Sequence, residues 1–253
     1  MDLKLRGKTA IVTGGSRGIG AGITEVLAKE GCNLAVNYRS DEESAVKFAE
    51  SLKQKYHVEV EPIQADVSIE TESAFLFAQT LESLGKVDIL VNNAAGGFRL
   101  MPFQELAVSD WEAAEKGILD PVFYMSGQFL KYCLDKKRGG HIVNVLSKSA
   151  FLSSSVNNLT YVAFKGAMAS LTRGMAKEFI SHGIYVNGII PGYVRTERRH
   201  IRGDERTERV RKLLPTGEFA TPEEMGNIVA VLCSPLFRQM IGALVDCTGG
   251  TLL

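Results

Sequence analysis

The hydrophobic positions of this chain fall into two alternating kinds of segment. Short apolar runs rich in β-branched residues are typical of strands, and longer stretches with apolar residues at every third or fourth position are typical of helices. The predicted strands are Thr9–Val12, Asn33–Asn37, Val58–Ile63, Asp88–Asn92, His141–Leu146, Tyr185–Ile190 and Ala243–Asp246. The predicted helices between them include Glu42–Lys55, Glu70–Leu84, Pro121–Leu134 and Thr160–Ile180.

This alternation predicts an α/β fold in which about seven parallel strands form one doubly wound sheet with helices on both faces. The segment Ile89–Val91 is apolar at consecutive positions, as expected for a strand that is covered on both faces. The chain has 253 residues and shows no repeat, no linker and no change of composition between its halves. We therefore expect a single domain spanning residues 1–253.

The composition argues against several classes of partner. The formal net charge is zero, so nothing global indicates nucleic acid or an anionic membrane. No apolar run approaches the ~20 residues of a membrane helix, and the short polar segment Met1–Lys8 is unlike a secretion signal. The cysteines are scattered without metal-binding spacing, so we expect no metal site and a reducing, cytoplasmic location.

A glycine-rich turn follows the first predicted strand and opens a helical pattern. It reads Thr13-Gly14-Gly15-Ser16-Arg17-Gly18-Ile19-Gly20. A strand, a tight turn and a helix together present backbone N–H groups and a positive dipole end to a phosphate. Glycine allows the close approach that a side chain would block. The turn therefore predicts a dinucleotide site, although a glycine-rich turn without a ligand is the alternative for this motif alone.

Small, polar or glycine residues gather where the predicted strands end, at the edge where open α/β sheets bind ligands. We expect a dinucleotide to lie across this edge. Asp66 would accept a hydrogen bond from the adenine amino group, or else it is a simple turn aspartate. The expected contact residues along the edge are Gly14, Ser16, Arg17, Gly18, Ile19, Gly20, Asn37, Tyr38, Arg39, Ser40, Asp66, Val67, Asn93, Ala94, Ala95, Gly96, Pro191 and Gly192.

The end of the second strand bears on the choice of cofactor. Proteins that select NAD usually place an acidic residue there to bind the ribose hydroxyls, whereas this chain has Asn37, Tyr38 and Arg39. Arg17 and Arg39 would pair with a 2′-phosphate through charge-assisted contacts. The sequence therefore favours NADP(H). The alternative is that Arg39 is a solvated surface charge and Asp41 contacts the ribose.

Three residues form a candidate catalytic group. Tyr161 and Lys165 stand four apart in a predicted helix, so they share one face, and the ammonium would lower the pKa of the phenol. The phenol could then act as a general acid or base while a nicotinamide supplies hydride. Ser147, at the end of the fifth strand, would steady charge on a carbonyl oxygen. An ordinary amphipathic helix is the alternative for the Tyr-x-x-x-Lys spacing alone.

A basic segment follows the sixth strand, within residues 193–214, and we expect it to be a partly mobile excursion; the family resemblance described below implies that it is the substrate loop. It could dock an acyl carrier protein or the phosphates of coenzyme A, with Arg99 contributing. Alternatively, its cations pair internally with the interleaved Glu197, Asp204, Glu205 and Glu208. The cations are Arg195, Arg198, Arg199, Arg202, Arg206, Arg209, Arg211 and Lys212.

Taken in order, these motifs resemble the classical short-chain dehydrogenase/reductase family over nearly the whole chain. The resemblance also rests on Asn92-Asn93-Ala94-Ala95-Gly96, on Pro191-Gly192 followed by Thr196, and on Asp246-Cys247-Thr248-Gly249-Gly250. It implies a Rossmann-type sheet, nicotinamide-dependent carbonyl reduction or alcohol oxidation, and a homotetramer paired through the Pro121–Leu134 and Thr160–Ile180 helices. The turn and Arg39 are similar to members that reduce 3-oxoacyl thioesters with NADPH.

The resemblance also assigns residue roles. Asn93 would line the cofactor cleft, Lys165 would bond the nicotinamide ribose, and Thr196 would bond the carboxamide. Tyr161 and Val194 complete the cofactor contacts that the resemblance implies.

The chain departs from the family pattern at three places. Ile118 stands where most members have a catalytic asparagine, so either Asp120 takes part from a shifted position or the proton relay is altered. The spacing from Ser147 to Tyr161 is one residue longer than usual, with Ser149 a weaker substitute. Two residues are inserted in the terminal Asp246–Gly250 segment, so the chain end is expected to pack differently.

The missing asparagine keeps two other functions open. Relatives that reduce carbon–carbon double bonds in enoyl or dienoyl thioesters also lack it, and the Asn92–Phe98 loop is similar to theirs, but they replace the tyrosine. A non-catalytic dinucleotide sensor is the third possibility. The intact Ser147, Tyr161 and Lys165 argue for ketone reduction over both.

Overall fold

A computed structural model describes residues 1–96, 98–152, 156–196 and 205–253, with the side chains of residues 205 and 206 excepted. Within these residues the strands form one parallel sheet in the order β3-β2-β1-β4-β5-β6-β7. Every predicted strand is present, with ends that differ by no more than two residues. The strands are β1 (Thr9–Val12), β2 (Asn33–Tyr38), β3 (Val60–Gln64), β4 (Ile89–Asn92), β5 (Gly140–Val145), β6 (Ile184–Pro191) and β7 (Leu244–Cys247).

Helices connect the strands and cover the sheet. The four predicted helices are confirmed, with ends that differ by at most one residue. The helices are α1 (Gly18–Lys29), α2 (Glu42–Tyr56), α3 (Glu70–Leu84), α4 (Val108–Ile118), α5 (Asp120–Asp135), α6 (Leu159–Phe179), α7 (Glu205–Lys212) and α8 (Pro222–Cys233).

The core consists of two main apolar layers, one on each face of the sheet. One layer packs α1, α2 and α8 against the sheet, and the other packs α3, α5 and α6. Side chains alternate between the faces along a strand, so Ala10 and Val12 enter the first layer and Ile11 enters the second. All three are fully buried, which explains why β1 is apolar at consecutive positions. The prediction of a single α/β domain with a doubly wound sheet is confirmed.

The strand order places the candidate site. β1 pairs with β2 on one side and with β4 on the other, so the chain changes direction across the sheet between β3 and β4. The crevice outside the carboxyl ends of β1 and β4 is therefore the switch point at which such sheets bind ligands. The glycine-rich turn and the loop after β4 both border this crevice.

The opposite edge of the sheet carries a cluster of charges around Asp88. This carboxylate is almost fully buried and pairs with Arg138, with Lys86 at 3.5 Å and with Lys8 at 3.7 Å. It also accepts a hydrogen bond from the backbone N–H of Thr9 at 2.9 Å. A depression of about 700 Å³ opens there, but no predicted catalytic or cofactor residue lines it. The cluster ties the start of β1 to the start of β4.

In the described ranges no helix has both the length and the apolar character to cross a membrane. The same residues contain no group of three or more His, Cys, Asp or Glu side chains arranged to hold a metal ion. The four cysteines are free thiols and are buried.

Candidate cofactor and active site

The glycine-rich turn forms a tight cradle in which several positions require glycine. Gly14 and Gly18 have φ values of +59° and +56°, which favour glycine. A Cβ atom on Gly20 would lie 2.1 Å from the carbonyl oxygen of Gly14. α1 begins at Gly18, has no acidic residue in its first turn, and receives no side-chain capping bond from Arg17. Its first N–H groups lack intrahelical acceptors, so the cradle fits the pyrophosphate of a dinucleotide.

The side chain of Asn37 connects this cradle to the neighbouring strands through hydrogen bonds. Its side-chain oxygen accepts a hydrogen bond from the N–H of Gly14 at 3.0 Å, and its amide nitrogen donates to the carbonyl oxygen of Ala65 at 3.0 Å. Asn37 and Tyr38 are both buried. Their direct contact with a cofactor stays a prediction, because Asn37 already uses its amide group to join the ends of β1, β2 and β3.

Thr13 and Asn93 join the turn to the loop after β4. The hydroxyl oxygen of Thr13 accepts hydrogen bonds from the N–H groups of Asn93 at 2.9 Å and Ala94 at 3.0 Å. In return the Asn93 amide donates to the carbonyl oxygens of Thr13 at 2.9 Å and Gly14 at 3.1 Å. Thr13 is not among the cofactor contacts predicted from the sequence. Its place at the end of β1, directly before the glycines, is the signal that could have identified it.

Arg39 and Asp66 meet beside the cradle, where the adenosine half of a dinucleotide would lie. A guanidinium nitrogen of Arg39 is 3.9 Å from a carboxylate oxygen of Asp66, and 65% of the arginine side chain is exposed. Partial burial opposes ionisation of Asp66, but hydrogen bonds from Ser68 and the charge of Arg39 hold its pKa below the usual value. Asp41 caps α2 by accepting a hydrogen bond from the N–H of Ser44 at 3.2 Å. The Arg39 guanidinium is thus largely exposed to solvent at this point, whereas Asp41 is engaged in capping α2.

Ser147 follows the end of β5 and caps a short 3₁₀ turn. Its backbone is extended, and its hydroxyl oxygen accepts a hydrogen bond from the N–H of Ser149 at 3.2 Å. The capping bond uses the oxygen as an acceptor and leaves the hydroxyl hydrogen to donate. Ser147 is therefore suited to donate a hydrogen bond to a carbonyl oxygen.

Lys165 lies beneath Tyr161 on the same face of α6. Its ammonium nitrogen is 6.0 Å from the centre of the Tyr161 ring and donates a hydrogen bond to the carbonyl oxygen of Val145 at 2.8 Å. The side chain is buried, and burial lowers the pKa of Lys165 to about 8. The i, i+4 pairing predicted from sequence is present, and the structure brings both groups to the end of the strand that carries Ser147.

Apolar side chains also pack against Tyr161. The rings of Phe98 and Tyr161 lie 4.6 Å apart between centres. Ile118 is fully buried and packs with Ala114 and Phe164, and Tyr161 packs against this group. An isoleucine in this cluster offers no hydrogen-bonding group to a water molecule.

Asp120, at the start of α5, contacts Tyr124. Its carboxylate faces the hydroxyl of Tyr124 and raises the pKa of that phenol. The shift in the pKa of Lys165 comes from burial. The participation of Asp120 and an altered proton relay both stay predictions.

The segment after β6 returns to the glycine cradle. A Cβ atom on Gly18 would lie 3.6 Å from the methyl group of Thr196. Val194 is buried and forms a bridge to Ala220. A Cβ atom on Gly192 would lie 2.8 Å from Cα of Thr248, so the chain end packs directly on this segment. The structure thus places Thr196 beside the turn that would hold the cofactor phosphates.

Residues 197–204 of the basic segment lie outside the described residues, and with them Arg198, Arg199, Arg202, Glu197 and Asp204. In α7, Arg211 pairs with Glu208 at 3.6 Å. Arg99 pairs with Asp110 at 3.4 Å. Two of the expected docking cations therefore have carboxylate partners within the fold.

The inserted residues at the chain end are accommodated by glycine conformations. The carboxylate of Asp246 accepts a hydrogen bond from the N–H of Thr248 at 2.8 Å. Gly249 and Gly250 then take φ values of +66° and +87° and turn the chain against Thr216 and Pro215.

Known proteins share this arrangement. The family model described as short chain dehydrogenase matches residues 8–207. A 3-oxoacyl-[acyl-carrier-protein] reductase, FabG, of Aquifex aeolicus is 32% identical over 250 residues, covering 99% of both chains. Glucose 1-dehydrogenase 2 of Bacillus subtilis is 33% identical over 251 residues, covering 98% of this chain and 96% of the relative.

A solved structure extends the comparison to the whole fold. The short chain dehydrogenase from Burkholderia cenocepacia J2315, in complex with NADP, superposes with a TM-score of 0.90 at 28% identity, over 99% of this chain and 100% of that one. The fold, the ordered motifs and the matched relatives agree with one another. The chain therefore belongs to the short-chain dehydrogenase/reductase family of nicotinamide-dependent oxidoreductases.

Proposed function

We propose that this protein reduces a ketone to a secondary alcohol with NADPH. The observation that carries the proposal is the convergence of Ser147, Tyr161 and Lys165 at the end of β5. A buried ammonium whose pKa is lowered to about 8 lies beneath a phenol on the same helix face. A serine whose hydroxyl hydrogen can still be donated stands at the neighbouring strand end.

The chain's residues divide the chemistry between them. Bound NADPH would supply the hydride that forms the new C–H bond at the carbonyl carbon. Tyr161 gives its hydroxyl proton to the carbonyl oxygen as the C=O π bond breaks. Ser147 donates a hydrogen bond to that oxygen and stabilises the negative charge that develops on it. The charge of Lys165 stabilises the phenolate left behind, so the proton is released more readily.

The preference for NADP(H) over NAD(H) rests on charge at the adenosine end. Arg39 is mostly exposed, lies at the carboxyl end of β2, and is paired only loosely with Asp66. Together with Arg17 it would bind a 2′-phosphate. Asp41, the carboxylate that could bind ribose hydroxyls instead, is engaged in capping α2.

The first substrate to test is a 3-oxoacyl thioester carried by coenzyme A or an acyl carrier protein. The name of the relative from Aquifex aeolicus supports this choice, although the relative from Bacillus subtilis is named for another substrate at similar identity. A homotetramer paired through α5 and α6 is part of the proposal. Phe123 on α5 is 65% exposed and would be covered by such pairing. Four free thiols fit a reducing cytoplasm.

A second candidate function is the reduction of an enoyl or dienoyl thioester. The specific observation in its favour is the fully buried Ile118, which places an apolar side chain where most members of the family have an asparagine. Tyr161 weighs against this candidate, because it supplies the acid that ketone reduction requires.

The test is NADPH oxidation with a matched 3-oxoacyl and enoyl thioester. We expect turnover of the 3-oxo compound, and we expect Tyr161→Phe to lower kcat at least about 100-fold while NADPH still binds. Faster turnover of the enoyl compound would favour the second candidate. Binding of NADPH without turnover on a broad carbonyl panel would indicate a sensor, and full ketone reduction by Tyr161→Phe would reject the assigned acid.

A further inference from the structure

A cation that the mechanism does not use comes directly after Ser147 in the chain. Lys148 follows Ser147, and its ammonium nitrogen lies 4.1 Å from the centre of the Tyr193 ring. Lys148 belongs to the short 3₁₀ turn after β5, and Tyr193 lies just beyond the end of β6. Because β5 and β6 are neighbours in the sheet, this pair bridges two strand ends on the edge that carries Ser147.

The two partners are held in place by their surroundings. The capping bond from the N–H of Ser149 to the hydroxyl of Ser147 orders the turn that carries Lys148. The Tyr193 ring packs edge-on against Phe219 at 6.5 Å, and its backbone carbonyl accepts a hydrogen bond from the N–H of Ala220 at 3.0 Å. An ammonium over an aromatic face is attracted electrostatically by the ring, and this cation–π contact favours the observed position of the side chain.

Among the described residues, no acidic side chain neutralises this ammonium. In the portions of the chain that the structure describes, no carboxylate lies within ion-pair distance of Lys148, and its side chain is half-buried. The acidic side chains of other sites are paired with their own cations, as in Arg39–Asp66 and Arg99–Asp110. A half-buried cation without a counterion attracts an anion more strongly than a fully solvated one.

We propose that Lys148, supported by Tyr193, selects substrates that carry a carboxylate close to the reacting carbonyl. This inference rests on the proposed ketone reduction and gives short oxo acids as the preferred substrates, with 3-oxoacyl thioesters turned over at a higher KM. The ammonium would bind the carboxylate while Ser147 binds the carbonyl oxygen one residue away. The phosphates of a coenzyme A or carrier thioester lie many bonds from the carbonyl, so they are beyond the reach of a side chain adjacent to Ser147.

The experiment compares 3-oxobutanoate with its neutral amide, 3-oxobutanamide, and with its coenzyme A thioester as substrates for NADPH oxidation. The wild-type protein should have a KM for the acid about tenfold lower than for the amide, since a hydrogen bond to a charged group is worth roughly one such factor or more. Lys148→Met should raise the KM for the acid about tenfold. The kcat for the acid and the KM for the amide should stay as in the wild-type protein. Lys148→Arg should restore much of the preference.

The controls separate this inference from the proposed function. Lys177→Met, which removes an exposed lysine near the end of α6, should leave all three substrates unchanged. The inference is wrong and the function stands if ketones are reduced but Lys148→Met keeps the wild-type ratio of the KM for the acid to the KM for the amide. The same conclusion follows if the thioester has the lowest KM and Lys148→Met raises that KM as much as the KM for the acid. If the wild-type protein reduces no ketone, the function fails and the inference fails with it. Lys148→Gln replaces the methionine variant if that variant does not fold.

Discussion

The ammonium of Lys165 donates a hydrogen bond to the backbone carbonyl oxygen of Val145 at 2.8 Å. Val145 is the last residue of β5 and stands two positions before Ser147. The bond therefore ties α6 to the strand that presents the candidate hydrogen-bond donor for the substrate oxygen. Burial lowers the pKa of Lys165 to about 8, so the charge of the group that makes this contact depends on pH.

The first prediction concerns the pH dependence of stability. The pKa of Lys165 falls from 10.5 when solvated to about 8 in the folded protein, so the unfolded chain binds more protons between these values. The contribution of this residue to stability therefore rises with pH across that window. Relative to Lys165→Met, the free energy of unfolding of the wild-type protein should increase by about 1 kcal/mol between pH 8 and pH 9. Urea unfolding at the two pH values measures it.

The comparison with a variant is needed because buried thiols act in the opposite direction. Burial raises the pKa of Cys32 to about 12 and that of Cys133 to about 11. Their stabilising contribution is lost as pH rises above the solvated value of 9, and it is lost equally in both proteins. Lys177→Met should follow the wild-type curve, and parallel curves for the wild type and Lys165→Met would contradict the prediction.

The second prediction concerns cofactor preference. Arg39 is mostly exposed, and its contact with Asp66 is long, at 3.9 Å. The guanidinium is therefore accessible to a 2′-phosphate. Arg39→Gln should raise the KM for NADPH about tenfold and leave the KM for NADH unchanged, because only NADPH carries that phosphate. Steady-state kinetics with both cofactors measure the effect. Arg173→Gln, at an exposed position on α6, is the control, and an equal loss with both cofactors would disprove the assignment.

The third prediction concerns the glycine cradle. A Cβ atom on Gly20 would lie 2.1 Å from the carbonyl oxygen of Gly14, so Gly20→Ala must displace the turn. We expect a loss of about 1–3 kcal/mol in stability and a more than tenfold weaker binding of NADPH. Thermal unfolding and cofactor fluorescence titration test these outcomes.

A matched glycine lies in α6. A Cβ atom on Gly174 would meet nothing within 4 Å, and its φ is not positive, so Gly174→Ala should stabilise the protein by about 0.5–1 kcal/mol without changing NADPH binding. Tight NADPH binding by Gly20→Ala would show that the turn is not the phosphate site.

The fourth prediction concerns the charge cluster at the far edge of the sheet. Only 7% of the Asp88 side chain is exposed, and its carboxylate forms ion pairs with Arg138, Lys8 and Lys86. Asp88→Asn leaves these cations without their carboxylate and should cost about 3 kcal/mol of stability. Chemical unfolding measures the loss. Asp2→Asn removes an exposed ion pair with Lys4 and should leave the unfolding midpoint unchanged, so equal effects of the two substitutions would be evidence against a buried role.

The secondary structure followed closely from the local pattern because that pattern reports burial. β1 is apolar at every position since both faces of the sheet are covered, and α3 begins and ends where its helical periodicity does. The glycine turn and the Tyr161–Lys165 pairing were also predictable, since both depend on residues close together in the chain. The structure places each at the expected strand end.

Contacts between distant segments were not predictable in the same way. Asn37 was expected beside the cofactor, but its amide supports Gly14 and Ala65, and these bonds depend on β1, β2 and β3 being adjacent. The pairing of Lys148 with Tyr193 depends on β5 and β6 lying side by side. No local periodicity encodes which strands become neighbours.

By itself, the sequence determined the class of fold, the edge of the sheet that carries the site, and the residue types available for the chemistry. It did so because hydrophobic period and turn residues act over a few positions of the chain. Only the tertiary structure decided that Lys165 is buried against Val145, that Ile118 closes an apolar cluster beside Tyr161, and that Lys148 lies over an aromatic ring. These facts arise from the packing of segments far apart in the chain, because burial, and with it each group's pKa and partners, is a property of the assembled core.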